Sequence, residues 1–237
     1  MIKGFLFDKD GTLIDFNEIW LPVTKSVAAK MKGRYQAEKT EEELLKCIGV
    51  NKEKIDADGI LASKTTKDIA AMWYTQMDVK VSLEVFAEEV KVAFLLKTYE
   101  NIELVKLLPG VKETLYDLKR KGFYLGIATA DTQDITELML KKLGIKELFE
   151  FIGTYDGITP EKPHPAHLQN FCAQKGLISS EVAMIGDTLC DMKFGKNFGA
   201  YTIGVLSGAG KQKQLQEYAD LIIPSAADLM VGEEWKK

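Results

Sequence analysis

Cysteine is scarce in this chain: three in 237 residues, at positions 47, 172 and 190. They are too few and too scattered for a disulfide framework or a zinc cluster, and they read as reduced thiols of a cytoplasmic protein. Histidine is scarcer still. His164 and His167 stand three residues apart, but no third His or Cys group accompanies them, so they are expected at a loop and a helix start rather than on zinc. No long apolar run occurs either. The first, residues 2–7, stops at Asp8, short of a signal-peptide core or a membrane span. No basic run offsets the net charge of −4, which gives no support to nucleic-acid or anionic-membrane partners. Internal repeats and low-complexity tracts are also missing.

What is present is the composition of an ordinary globular protein, 46% hydrophobic and 28% charged, enough to bury a core of good size. The length suits one large domain or a domain with an insertion. Apolar runs at 2–7, 123–129, 150–154, 182–186, 200–205 and 221–223 read as strands. Between the later ones, 111–121, 133–143 and 165–175 carry apolar residues at helical spacing. Strands apolar on both faces, alternating with helices, predict a doubly wound parallel sheet of the α/β class. Residues 16–106 break the alternation. They hold helix-like segments at 17–31, 58–76 and 83–106 and no convincing strand, too long for a loop. The expected division is a core domain of 1–15 and 107–237 and a helical cap of 16–106.

Ligands of an open α/β sheet bind beyond the carboxyl ends of its strands, and those ends carry the chemistry. The first strand runs into Asp8-Lys9-Asp10-Gly11-Thr12, the second into Thr129-Ala130-Asp131. Lys162 follows the third, and Asp187 and Asp191 follow the fourth. Acids, a hydroxyl and an ammonium on one rim suit phosphoryl transfer through an aspartyl-phosphate. An anionic nucleophile approaching phosphate needs its repulsion offset, by a hard divalent cation on carboxylates and by a lysine. Asp10, two residues after Asp8, returns to the same side of an extended strand, where it can protonate the leaving alcohol and then activate water. Lys9 between them is expected to point away.

D-x-D-G-T after an apolar strand, a strand-end Thr, a Lys-Pro and G-D-x-x-x-D, in that order, resemble the haloacid-dehalogenase superfamily of phosphohydrolases. The helical insertion resembles its phosphoglycolate-phosphatase-like branch. The resemblance covers essentially the whole chain. It implies Asp8 as nucleophile and Mg2+ ligand, and Asp10 as acid/base and ligand through its backbone carbonyl. It further implies Thr129, the Ala130 backbone and Lys162 as phosphoryl-binding groups, Asp187 as the remaining metal ligand, and Asp191 beside the site, orienting it. The implied substrate is a small phosphate ester, 2-phosphoglycolate the nearest guess, and the implied protein a monomer or homodimer. Two departures stand out. Many relatives have Asn where this chain has Ala130, and an apolar residue where it has Lys9.

Other readings fit less well. D-x-D-G places Gly wrongly for an EF-hand, and GVLSGAGKQ, residues 204–212, fails the P-loop pattern and is expected to shape a rim loop. Cys190 lacks a base and reads as a packed thiol. A sugar phosphomutase of the same superfamily would share every core motif. Dehalogenation has no use for Asp10. A receiver-like switch shares the Asp, Thr and Lys but neither Asp10 nor the ninety-residue insertion.

Overall fold

The structure, a computed structural model, describes residues 1–56 and 58–229. The chain folds into two compact units, one made of Met1–Asp15 and the chain from Lys106 onward, the other of Phe16–Val105.

In chain order, β1 (Gly4–Phe7) opens the first unit. The second unit follows: α1 (Phe16–Tyr35), α2 (Glu41–Lys46), β2 (Val50–Asn51), β3 (Lys54–Ile55), α3 (Ile60–Ser63), α4 (Thr66–Gln76) and α5 (Leu83–Glu100). The first unit resumes with α6 (Val111–Arg120), β4 (Tyr124–Thr132), α7 (Gln133–Leu143), β5 (Phe151–Tyr155), α8 (Ala166–Lys175) and β6 (Val182–Gly186). It continues through α9 (Leu189–Phe198), β7 (Tyr201–Val205), α10 (Gln212–Leu215) and β8 (Leu221–Ile223).

Six strands form one parallel sheet in the order β5-β4-β1-β6-β7-β8. The α/β class and doubly wound order expected from the alternation are therefore present. From β1 the chain builds outward through β4 to β5, then crosses to the other side of β1 and builds through β6 to β8. The order reverses at β1, so its carboxyl end lies at the topological switch point. β1 and β6 are buried along their whole length, which explains their unbroken apolar runs. Phe7 is in register with Ile127 on one side and Ile185 on the other, so residues just beyond these three positions emerge together.

Close packing of α8 on the sheet depends on two residues without side chains. A Cβ on Gly4 would lie 3.0 Å from the Phe171 ring, and one on Gly126 would lie 2.7 Å from Leu6 and 3.1 Å from that ring. Phe171 thereby packs closely on β1 and β4, in a cluster with Leu6, Leu168, Met184 and Phe194.

The second unit is largely helical, with local differences from expectation. Val50–Asn51 and Lys54–Ile55 pair as a short antiparallel ribbon, too brief and too polar to leave an alternating pattern. The stretch 58–76 is also two helices rather than one. Thr65 and Asp68 form a reciprocal cap that starts a new helix there, a local alternative to continuing the first. Trp73 is buried, stacked on Phe94 at 6.3 Å, and donates its indole N–H to the Leu44 carbonyl at 2.8 Å. The segment 83–106 ends its α-helix at Glu100 and closes with a single turn over Ile102–Leu104.

Candidate active site

Asp8 is the first residue past β1. Its N–H donates to the Ile185 carbonyl at 2.8 Å, so the sheet's own hydrogen bonding fixes its backbone. Its carboxylate is buried and meets Lys162, whose Nζ lies 2.7 Å from Asp8 Oδ1. The same ammonium lies 2.6 Å from Asp191 Oδ1. Asp191 is held in turn by the start of α9: its Oδ2 accepts from the Thr188 N–H and hydroxyl, and its own N–H donates to Thr188 Oγ1. This reciprocal cap leaves Asp191 little rotational freedom. Gly186 makes room for it, since a Cβ there would lie 2.3 Å from the Asp191 Cβ.

Asp187 completes the acidic cluster. One oxygen from each of Asp8, Asp187 and Asp191 lies within 4.8 Å of the others. Asp187 Oδ2 accepts from the Ala209 N–H at 2.8 Å, and its Oδ1 faces the Thr12 hydroxyl at 3.4 Å. The glycine-rich segment after β7, expected only to shape a rim, is thus wrapped around Asp187. A Cβ on Gly208 would lie 2.0 Å from Asp187 Oδ2, and one on Gly11 2.7 Å from it. Gly11 also has φ 77°, a conformation other residues adopt at a cost. Ser207 donates to the Gly11 carbonyl at 2.8 Å and ties the two loops together. No motif in the sequence singles out Ser207, Gly208 and Ala209, although their place past the carboxyl end of a strand is a usable signal.

Electrostatics mark the cluster as short of positive charge. Burial, reinforced by Asp191 and Asp10, pushes the Asp8 carboxyl up to about 7 despite the opposing pull of Lys162. Burial and the charges of Asp8 and Asp191 raise Asp187 well above the carboxylate range. Burial alone would pull the Lys162 ammonium down, yet Asp191 and Asp8 hold it above the usual lysine range. Three buried carboxylates against one ammonium, with oxygen-only donors, fit a hard divalent cation.

Asp10 behaves differently. Its carboxylate pairs with the Lys9 ammonium at 2.5 Å, and Lys9 also reaches Asp131 at 2.9 Å. The expectation that Lys9 points away from the acids is overturned. β1 ends at Phe7, and the chain turns at once, with the Leu13 and Ile14 N–H groups both donating to the Lys9 carbonyl. Strand alternation therefore does not apply at Lys9. Burial, with Asp10 adding to it and Lys9 opposing, brings the Asp131 carboxyl up to about 6.

Thr129 is buried in β4, two residues past Ile127, and its hydroxyl accepts from the Asp131 N–H at 3.2 Å. Ala130 is half-buried between them. β4 runs three residues further than the sequence suggests, with a register shift against β5 between Ala128 and Thr132. Such an irregularity re-aims the side chains at the end of a strand. His167 packs against Phe151 and over Gly153, and Cys190 is half-buried.

This fold and this rim belong to a phosphoryl-handling hydrolase class, and the chain is a member of the haloacid dehalogenase-like hydrolases, whose family model matches residues 5–205. Among its relatives, pyrophosphatase PpaX of Bacillus pumilus is 30% identical, over 97% of this chain and 95% of that one. A solved structure of a predicted phosphoglycolate phosphatase from Haemophilus somnus is 25% identical, with a TM-score of 0.72 over 96% of both chains. CbbY of Rhodobacter sphaeroides, solved with phosphate, shares the fold at 19% identity, with a TM-score of 0.73 over 97% of both chains.

Proposed function

We propose that the chain is a Mg2+-dependent phosphatase that hydrolyses a small phosphomonoester, of the 2-phosphoglycolate kind, through an aspartyl-phosphate on Asp8. The observation that carries this reading is the buried Asp8 carboxylate at the switch point, paired to Lys162 and within 4.8 Å of two further carboxylates. Asp8, Asp187 and the Asp10 backbone carbonyl would hold Mg2+, with Asp191 alongside. When bound, the ion offsets the negative charge of the carboxylates and phosphate oxygens.

Asp8 attacks phosphorus, forming an O–P bond as the ester O–P bond breaks, while Asp10 gives its proton to the departing alkoxide. Water then attacks the same phosphorus, Asp10 takes its proton, and the Asp8 O–P bond breaks to release phosphate. Lys162 and the Thr129 hydroxyl hold the phosphoryl oxygens. Asp191, fixed by Thr188, positions Lys162. The helical unit would serve as the specificity cap, and the thiol content supports a cytoplasmic setting.

The PpaX relatives favour a second substrate reading, pyrophosphate, which the same groups would cleave with phosphate as leaving group. Phosphate release from 2-phosphoglycolate, sugar phosphates and pyrophosphate, with and without Mg2+, separates the two. Release from none of them would sink both.

The loop around Asp187 makes a sharper forecast. Gly208→Ala must displace Asp187, so phosphate release should fall by ~10-fold or more and the Mg2+ concentration for half activity should rise. Gly33→Ala, at an exposed position of α1 with nothing within 4 Å of the added methyl, should instead leave activity intact and stabilise by about 0.5–1 kcal/mol. Equal activity of the two variants would show that the loop does not hold Asp187.

A further inference from the structure

Lys9 is an unusual group to find with a side chain 0% exposed. Taking an ammonium out of water carries a heavy desolvation penalty, and an apolar side chain would fill the space without it. Its surroundings explain the choice. Nζ lies 2.5 Å from Asp10 Oδ2, 2.9 Å from Asp131 Oδ2 and 3.3 Å from the Met139 sulfur. Asp131 leaves the irregular end of β4 and Met139 sits on α7, so the ammonium is pinned by two elements other than its own. Lys9 and Asp131 would neutralise each other without Asp10. With it, the ammonium bridges two carboxylates, one of them on the proposed acid/base.

We propose that Lys9 and Asp131 form a positioning pair that fixes the Asp10 carboxylate for proton transfer to the leaving group and from water. The inference rests on the phosphatase reading above and deepens it. A carboxylate at a strand end has two soft torsions, and proton transfer tolerates only a narrow range of approach. The buried ammonium, anchored at Asp131, removes that freedom from one side. A lone Asp131 without Lys9 would repel Asp10, and a lone Lys9 without Asp131 would lose one of the two carboxylates that hold it. The two side chains therefore act as one feature.

The test compares kcat/KM for an alkyl phosphate and for p-nitrophenyl phosphate, whose phenolate departs without a proton. For Lys9→Met the alkyl ester should lose ~10- to 100-fold and the aryl ester less than ~3-fold, with KM little changed, because general-acid help is worth ~10²–10⁴ and only the alkyl ester draws on it. Lys9→Met leaves Asp131 buried beside Asp10, which threatens folding. Lys9→Met/Asp131→Asn removes that charge, and with a wild-type-like melt it should still discriminate between the esters. A packing role predicts that discrimination vanishes in the double variant. A wild type inert to both esters sinks the phosphatase reading and the pair's role with it. An active wild type whose folded variants lose both esters equally, or neither, overturns the pair's role alone.

Discussion

Asp8→Asn should cut phosphate release from every substrate by ~10³-fold or more and abolish any phosphorylated protein trapped by rapid acid quench. The substitution keeps the size of the side chain and an oxygen that can accept from Lys162 Nζ, now 2.7 Å away. It removes a carboxyl that burial already holds up near 7. Folding should therefore survive, and the metal-free variant should melt no lower than the wild type at pH 8. An amide oxygen is a poor nucleophile, so the loss should fall in kcat, with KM moved by less than ~3-fold. The experiment also separates an enzyme from a switch. Wild type should show an aspartyl-phosphate that forms and decays within each turnover, whereas a persistent phosphoform would mark a receiver-like role. Retention of a tenth of the activity in Asp8→Asn would exclude Asp8 as nucleophile.

Much of this architecture is legible in the sequence because parallel strands at the centre of a sheet are apolar on both faces. The run at 182–186 matches β6 residue for residue, and 2–7 and 200–205 overshoot β1 and β7 at their starts. Asp8, Lys162, Asp187 and Asp191 can be gathered from the sequence because each follows a strand end, and the structure brings all four within ion-pair or cluster distance. What the sequence hides has a local cause in each instance. Strand alternation misplaces Lys9 because the strand ends two residues before it. Composition alone misses the loop at 207–209, whose role comes from one backbone N–H and the absence of side chains at Gly11 and Gly208. The ribbon of β2 and β3 rests on two residue pairs, Val50 with Ile55 and Asn51 with Lys54, below the length at which periodicity carries information.

Removing the divalent cation should destabilise the unit that holds the site, and by more at higher pH. Without metal, Asp8 has a carboxyl raised from 3.8 to about 7, and Asp187 is also raised well above the carboxylate range by burial and by the charges of Asp8 and Asp191. A raised carboxyl favours the folded state only while protonated. Its contribution is complete below pH ~4, the unfolded value, and is lost as pH climbs through the folded value near 7. Above that the ionised Asp8 carboxylate is buried among other acids, with Lys162 as the ammonium paired to it and to Asp191. Mg2+ held as proposed would take the ionised form, so protons would compete with it. At a concentration ~100 times its dissociation constant the ion should add about 2.7 kcal/mol, or about 5–10 °C in melting temperature for a unit of this size. The gap between melts with Mg2+ and with chelator should widen from pH 6 to pH 8. Asp187→Asn removes a carboxyl whose ionisation burial and its neighbours disfavour, while leaving an oxygen to accept from Ala209, so its chelated form should melt higher than chelated wild type at pH 8. The same variant should lose nearly all of the Mg2+ shift and at least ~10²-fold of the phosphate release. A gap that narrows with pH, or a variant that keeps the full Mg2+ response, would place the cation away from Asp187 and return the cluster to a purely structural role.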